Sequence, residues 1–99
     1  MKYRILFLSD TISDRTEIRE YLSKYYKSAV NKFFTLLREK IILLKEYPYI
    51  YPIYEDDSDY HVMKVADYLV FYMINEDSKT VEIHRIFHGS QNIRQHLSQ

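Results

Sequence analysis

The chain contains no cysteine, a single glycine (Gly89) and only two prolines, Pro48 and Pro52. Without cysteine there are no disulfides, no thiolate zinc sites and no cysteine nucleophile. One glycine cannot build a G-x-G-x-x-G dinucleotide turn or a phosphate-cradling P-loop, and no cofactor is expected. No apolar run approaches the length that spans a bilayer: the longest lies around Ile41 to Leu44. The opening MKYRILFLSD lacks the longer apolar stretch and small-residue cleavage site of a signal peptide. The expectation is a cytoplasmic protein with no membrane contact. Acidic side chains are also missing after Glu82, where Arg85 and Arg94 stand with His84, His88 and His96.

What is present bounds the rest. Ninety-nine residues make one domain, 1–99, with a single core. Fourteen basic residues balance fourteen acidic ones, which argues against a strongly basic, non-specific nucleic-acid binder. The balance hides a local polarity. Glu55, Asp56, Asp57 and Asp59 form an acidic loop, while the C-terminal edge is positive and titratable.

Periodicity orders the elements. Tyr3 to Leu8 reads as a strand. Thr11 or Ser13 caps a first helix, with Asp14 and Glu17 at capping-type spacing and Ile18, Leu22 and Tyr25 or Tyr26 as its apolar stripe. Tyr26-Lys27-Ser28 breaks the chain. A second helix carries Val30, Phe33, Phe34, Leu37, Ile41 and Leu44 at i, i+3, i+4 spacing and ends before Pro48. After a loop over residues 47–59 the period falls to two. Tyr60 to Val65, Tyr68 to Asn75 and Thr80 to Phe87 are strands, antiparallel because their links are short. Gly89 supplies a left-handed or tight turn, and Ser90 caps a last helix with Ile93 and Leu97. The fold class is α+β: a helical hairpin packed on one face of a mainly antiparallel four-stranded sheet, in the order β-α-α-β-β-β-α.

The histidines are the candidates for chemistry. His84 and His88 share an H-x-x-x-H spacing, but four strand residues span about 13 Å, too far for one zinc ion to bridge. No metal site is expected. Strict alternation puts Val81, Ile83, Arg85 and Phe87 on one face of the last strand and Glu82, His84, Ile86 and His88 on the other. Val81, Ile83 and Phe87 read as the core side, so His84 and His88 line the open face. His88, at the strand end, is the stronger candidate for a general acid or base. Ser90 lacks a nucleophile-elbow context and reads as a helix cap. YPYIYPIY, residues 47–54, offers tyrosines that can anchor a partner or cover the core; core cover is the expectation, because tyrosine buries its ring and keeps its hydroxyl wet.

Four segments taken in order resemble one family. KYRILFLS, the helix NKFFTLLREKIILLKEYP, the strand pair YHVMKVADYLVFYMI and the ending VEIHRIFHGSQNIRQHL together resemble the RelE/ParE superfamily of type II toxin–antitoxin (plasmid stabilisation) toxins. The resemblance covers nearly the whole chain and implies two activities on one fold. ParE-like members inhibit DNA gyrase; RelE-like members are metal-independent endoribonucleases that cut mRNA on the ribosome. Both are silenced by a cognate antitoxin in a hetero-oligomer.

Where RelE-type chains carry cations on the second strand and after the strand-three tyrosine, this chain has His61 and Met63, then Leu69 after Tyr68. His88 matches a position where several ribonuclease members use a histidine. The resemblance therefore implies a toxin leaning towards gyrase inhibition, engaging its target through Arg85, His88, Arg94 and His96. In the ribonuclease alternative His88 and His61 are catalytic and Lys64 lies near the phosphate. A third alternative is a decayed toxin that only binds an antitoxin-like partner.

Overall fold

A computed structural model describes residues 2–90. Its elements run β1 (Arg4–Phe7), α1 (Asp10–Tyr25), α2 (Ala29–Leu44), β2 (His61–Val65), β3 (Tyr68–Asn75) and β4 (Thr80–His88). The expected last helix, with Ile93 and Leu97, lies outside the described residues. The sheet order is β1-β4-β3-β2. The three later strands form an antiparallel meander, and β1 lies parallel to β4 with Arg4 opposite Thr80. No helix among the described residues is long and apolar enough to cross a membrane.

The helices form where their apolar stripes demand. In α2 the buried residues are Phe33, Leu37, Ile41 and Leu44, each a turn apart. In α1 they include Ile18 and Leu22, while Tyr25 and Tyr26 are exposed. The chain breaks at residues 26–28, and the Ala29 amide donates to the Tyr26 carbonyl at 2.8 Å. Both stripes pack on one sheet face against Met63, Val70, Tyr72, Val81, Ile83 and Ile86. Tyr72 is fully buried, and its hydroxyl donates to the Pro48 carbonyl at 2.8 Å, tying the loop after α2 to the core.

Strict alternation fails in β4. Phe71 faces Arg85, but Tyr72 faces Ile83, so His84 is an extra residue, a β-bulge. Side chains after it change face. Val81 and Ile83 point to the helices and so does Ile86, whereas Phe87 packs with Phe71 on the opposite face. The expected core set Val81, Ile83, Phe87 is therefore corrected to Val81, Ile83, Ile86. His88 moves with Ile86 to the helix side.

Asp14 explains how the bulged strand is held. β1 ends at Phe7, so the outer edge of β4 beyond Ile83 has no strand beside it. The buried Asp14 carboxylate takes that place: it accepts the Ile86 amide at 2.9 Å and two Arg85 guanidinium bonds at 2.9 and 3.0 Å. Asp14 is thus a strand partner in side-chain form, not part of a helix cap. Thr11 does act locally, its hydroxyl donating to the Leu8 carbonyl at 2.6 Å.

The turns differ from expectation. Gly89 has no positive φ, and a Cβ there would meet only the Asp67 carbonyl at an ordinary 3.5 Å. Its role is the amide, which donates to that carbonyl at 2.9 Å. The left-handed residues are Ala66 (φ 54°) and Lys79 (φ 53°), in the two hairpin turns. At the β3–β4 turn, Glu76 gathers Lys79 at 2.7 Å, Tyr3 at 2.9 Å and the Tyr49 hydroxyl. These donors, Lys79 first, push the Glu76 carboxyl down to about 2.

Two outcomes follow. Asp14→Ala leaves Arg85 and the Ile86 amide without their partner, and urea denaturation should register a loss of about 3 kcal/mol. Glu76 has a folded pKa below its ordinary 4.5, so its contribution is complete above pH 4.5 and disappears as pH falls towards 2. In Glu76→Gln the stability-against-pH curve should flatten across that window; an unchanged acid limb would show that the cluster does not couple to folding.

Candidate functional site

The sheet face away from the helices carries little positive charge. Its centre is Phe71 and Phe87, flanked by Val62 and Leu69. The loop before β2 folds back over them. The Tyr54 amide donates to the Tyr60 carbonyl at 2.7 Å, and both rings meet Phe71 edge-on, with centroids at 5.0 and 6.2 Å. The same loop carries the acidic run. The Tyr60 hydroxyl is pushed upward by burial first and then by Asp57 and Asp59, against the opposing pull of Arg85. Of the YPYIYPIY tyrosines, Tyr51 packs on the main core and Tyr54 on this second cluster, while Tyr47 and Tyr49 are exposed.

Each residue singled out in the sequence can now be placed. Lys64 is exposed at the β2 edge of this open face, opposite Leu69. His84 is on the open face as expected, edge-on to Tyr60 at 5.3 Å and 3.4 Å from a Glu82 oxygen. Arg85 is bound by Asp14, and its guanidinium lies 4.4 Å from the Phe87 ring centroid. Its pKa is raised, first by that bond to Asp14, so its charge is permanent but already matched. Arg94 and His96 lie outside the described residues.

His61 and His88 are both on the helix side. His61 stacks on Tyr72 (5.3 Å, 17°), and its Nδ1 lies 2.9 Å from the Tyr51 carbonyl. A carbonyl only accepts, so Nδ1 carries the proton and Nε2 is the basic nitrogen. In His88 the arrangement is reversed. Nδ1 accepts the Ser90 amide at 3.2 Å and lies 2.7 Å from the Ser90 hydroxyl, which places the neutral ring's proton on Nε2. The two histidines sit opposite Tyr72 and Tyr68 of β3. Four residues along the sheet and two strands across it separate them by about 16 Å. The structure does not bring them to one scissile bond.

Around His88 the surface is concave. One depression of about 500 Å³ runs from His88 and Tyr68 along Tyr21, Tyr26, Lys32 and Phe33. A second, of about 490 Å³, runs from His88 and Ser90 towards Glu17 and Arg85. Tyr68 meets the His88 ring edge-on at 5.3 Å and also packs on Phe33. His88 is thus a wall between two hollows at the C-terminal edge of the sheet, with Tyr21 and Tyr68 as neighbours that sequence reasoning missed. A signal for this was present. The apolar spacing 81, 83, 86 breaks parity at three, which marks a bulge and moves His88 to the side of Tyr68. Among the described residues no three His, Asp or Glu side chains converge to hold a metal ion.

The model of the ParE toxin of type II toxin–antitoxin systems, parDE, matches residues 5–93. The chain belongs to this family. It is a RelE/ParE superfamily toxin by sequence, and its fold is similar to solved RelE structures. The isolated RelE toxin of E. coli superposes with a TM-score of 0.63 at 13% identity, covering 97% of this chain and 95% of that one. The toxin–antitoxin complex RelBE2 from Mycobacterium tuberculosis gives 0.61 at 18%, covering 89% and 99%. The intact E. coli RelBE toxin–antitoxin complex gives 0.62 at 14%, covering 90% and 99%. At such identities the likeness is one of fold. No curated protein matches the chain.

The two histidine tautomers are open to a direct check. Long-range ¹H–¹⁵N spectra above pH 7 should show His61 protonated on Nδ1 and His88 on Nε2. The opposite tautomer at His88 would remove the Ser90 amide bond and the ring orientation that goes with it.

Proposed function

We propose that this ParE-family toxin arrests growth by ParE-like inhibition of DNA gyrase and is neutralised by a cognate antitoxin in a hetero-oligomer. The observation that carries this reading is the character of the open sheet face. Cleaving a phosphodiester without a metal requires positioned positive charge around a dianionic transition state. Here the corresponding surface is an aromatic cluster under an acidic loop, Arg85 is matched by Asp14, and His61 is packed beneath the loop. Among the described residues the cations left on that face are Arg4 at its β1 edge, Lys64 at its β2 edge and His84, which lies beside Glu82. Such a surface suits a protein target better than an RNA backbone. The target-facing edge is then the one bearing His88, with Lys64 at the far side of the sheet and Arg94 and His96 following in sequence.

One observation favours the second reading, a ribosome-dependent mRNA endoribonuclease. His88 stands in a concave site with Tyr68 beside it, where an imidazole can take part in proton transfer. A single culture distinguishes the two. On induction, gyrase inhibition should give relaxed plasmid DNA and breaks while messages stay intact. In-frame message cuts with normal supercoiling, abolished by His88→Ala while antitoxin binding persists, would replace this reading with the ribonuclease. Full expression with no growth arrest would leave a decayed toxin that only binds its partner.

A further inference from the structure

The larger hollow beside His88 is assembled from several parts of the chain. Tyr21 belongs to α1 and Tyr26 to its C-cap, Lys32 and Phe33 to the start of α2, Asp67 to the β2–β3 turn and Tyr68 to β3. Phe33 and Tyr68 are buried, with ring centroids 5.0 Å apart, and form the floor. Tyr21 and Tyr26, 6.1 Å apart, stand at the hollow with 47% and 57% of their surface exposed. The volume of about 500 Å³ is within the roughly 300–1,000 Å³ of small-molecule sites. The apolar stripe of α1 calls for Tyr25 or Tyr26 in the core, yet both are exposed. A flat phenol ring left open above an apolar floor is a stacking surface.

Charges of both signs line this hollow. Lys32 stands on the α2 side and Asp67 on the turn side, and neither is in an ion pair among the described residues. From Tyr21 to Arg38 the chain has no acidic residue, while Lys24, Lys27 and Lys32 fall within that stretch, so the helical side is cationic. The turn opposite is held in place. Ala66 takes a left-handed φ of 54°, and the Asp67 carbonyl accepts the Gly89 amide at 2.9 Å, which ties the turn to the end of β4. The Asp67 carboxylate has no hydrogen bond among the described residues. Its field reaches the floor: the Tyr68 hydroxyl is pushed upward by burial first and then by Tyr21 and Asp67.

We infer that this hollow binds a guanine mononucleotide. The base lies against the rings of Tyr21 and Tyr26, above Phe33 and Tyr68. Its Watson–Crick edge sets two donors side by side, the ring N1–H and the exocyclic amino group, and the Asp67 carboxylate accepts both. Adenine and cytosine each set a ring acceptor beside their one amino group, which turns a lone pair on Asp67. Uracil has one donor between two carbonyls. Lys32 takes the phosphate. A nucleic-acid strand fits less well, because its backbone runs on past the base and the adjoining hollow holds Glu17. A nucleotide held by side chains in this way needs no glycine-rich loop, in keeping with the single glycine of the chain. The site is independent of whether the toxin's target is gyrase or message.

The probe is guanosine 5′-monophosphate, titrated into the ¹⁵N-labelled full-length protein, with adenosine 5′-monophosphate and guanosine titrated in parallel. Saturable shifts of the Tyr26, Lys32 and Asp67 amides are expected with the guanine nucleotide, and binding of the adenine nucleotide should be at least about ten-fold weaker. Lys32→Ala should bring the nucleotide down to the affinity of guanosine and leave guanosine itself unchanged. Asp67→Asn replaces one acceptor by a donor, which matches the adenine edge instead. The guanine-to-adenine affinity ratio should therefore fall at least about ten-fold in that variant. Both side chains are exposed, and the Gly89 bond uses the Asp67 main chain, so both variants keep the fold; an unchanged thermal midpoint checks this. No saturable binding at millimolar nucleotide, equal affinity for the two bases or an unchanged ratio in Asp67→Asn would each overturn the proposal. So would binding of single-stranded oligonucleotides with none of the mononucleotide.

Discussion

A strand that loses its neighbour halfway must find another partner for its edge, and in this protein the Asp14 carboxylate supplies it. β4 is flanked by β1 only as far as Ile83. Beyond that point a helix lies alongside, and a helix has no outward backbone groups to offer. One buried side chain substitutes for the missing strand by accepting the Ile86 amide, and Arg85 balances its charge with two further bonds. The bulge at His84 lies at the same place, where the ladder on the β1 side stops. The angle of α1 against the sheet and the faces of the last four strand residues are therefore coupled through a single carboxylate.

That coupling decides which chemistry the protein can present. Had β4 continued without a bulge, His88 would share the open face with His84, Lys64 and Tyr60. Shifted by one residue, it stands between two hollows on the helix side with Tyr68 and Tyr21, and the open face is left to Phe71, Phe87 and the folded-back loop. The two faces thus have separate characters. One is aromatic and acidic. The other is a tyrosine-walled edge with an imidazole whose Nδ1 is engaged by Ser90. Arg85, which in the sequence looked like a free target-binding cation, spends its bonding capacity inside the fold.

Most of the architecture was legible because it follows from periods. The α2 stripe, the break at residues 26–28, the three meander strands and the family resemblance all rest on repeated spacing over several residues. What was not legible depends on single residues acting out of pattern. Asp14 sits at capping distance from Thr11 and reads as a cap, yet its partners are more than seventy positions away. Gly89 reads as a left-handed corner, yet Ala66 and Lys79 carry the positive φ and Gly89 serves through its amide. The loop over residues 53–60 has no period, so nothing in it announced that it would lie across the sheet. His88 was singled out for its position at a strand end; its face was misjudged because alternation was carried through a break that the 81, 83, 86 spacing had marked.

The parallel pairing of β1 with β4 also sets an order of assembly. The contacts of helix with helix, β2 with β3 and β3 with β4 join neighbours in sequence, whereas β1 and α1 both meet β4 across most of the chain. Arg4 must meet Thr80, and closing so long a loop carries the largest entropic cost in the fold. The helical hairpin and the meander can form from local contacts, while the N-terminal strand waits for the last strand to exist. During synthesis β1 leaves the ribosome first and is docked last. For that interval its apolar residues and both of its backbone edges are open, so β1 is exposed to capture by other molecules for longer than the strands that pair locally.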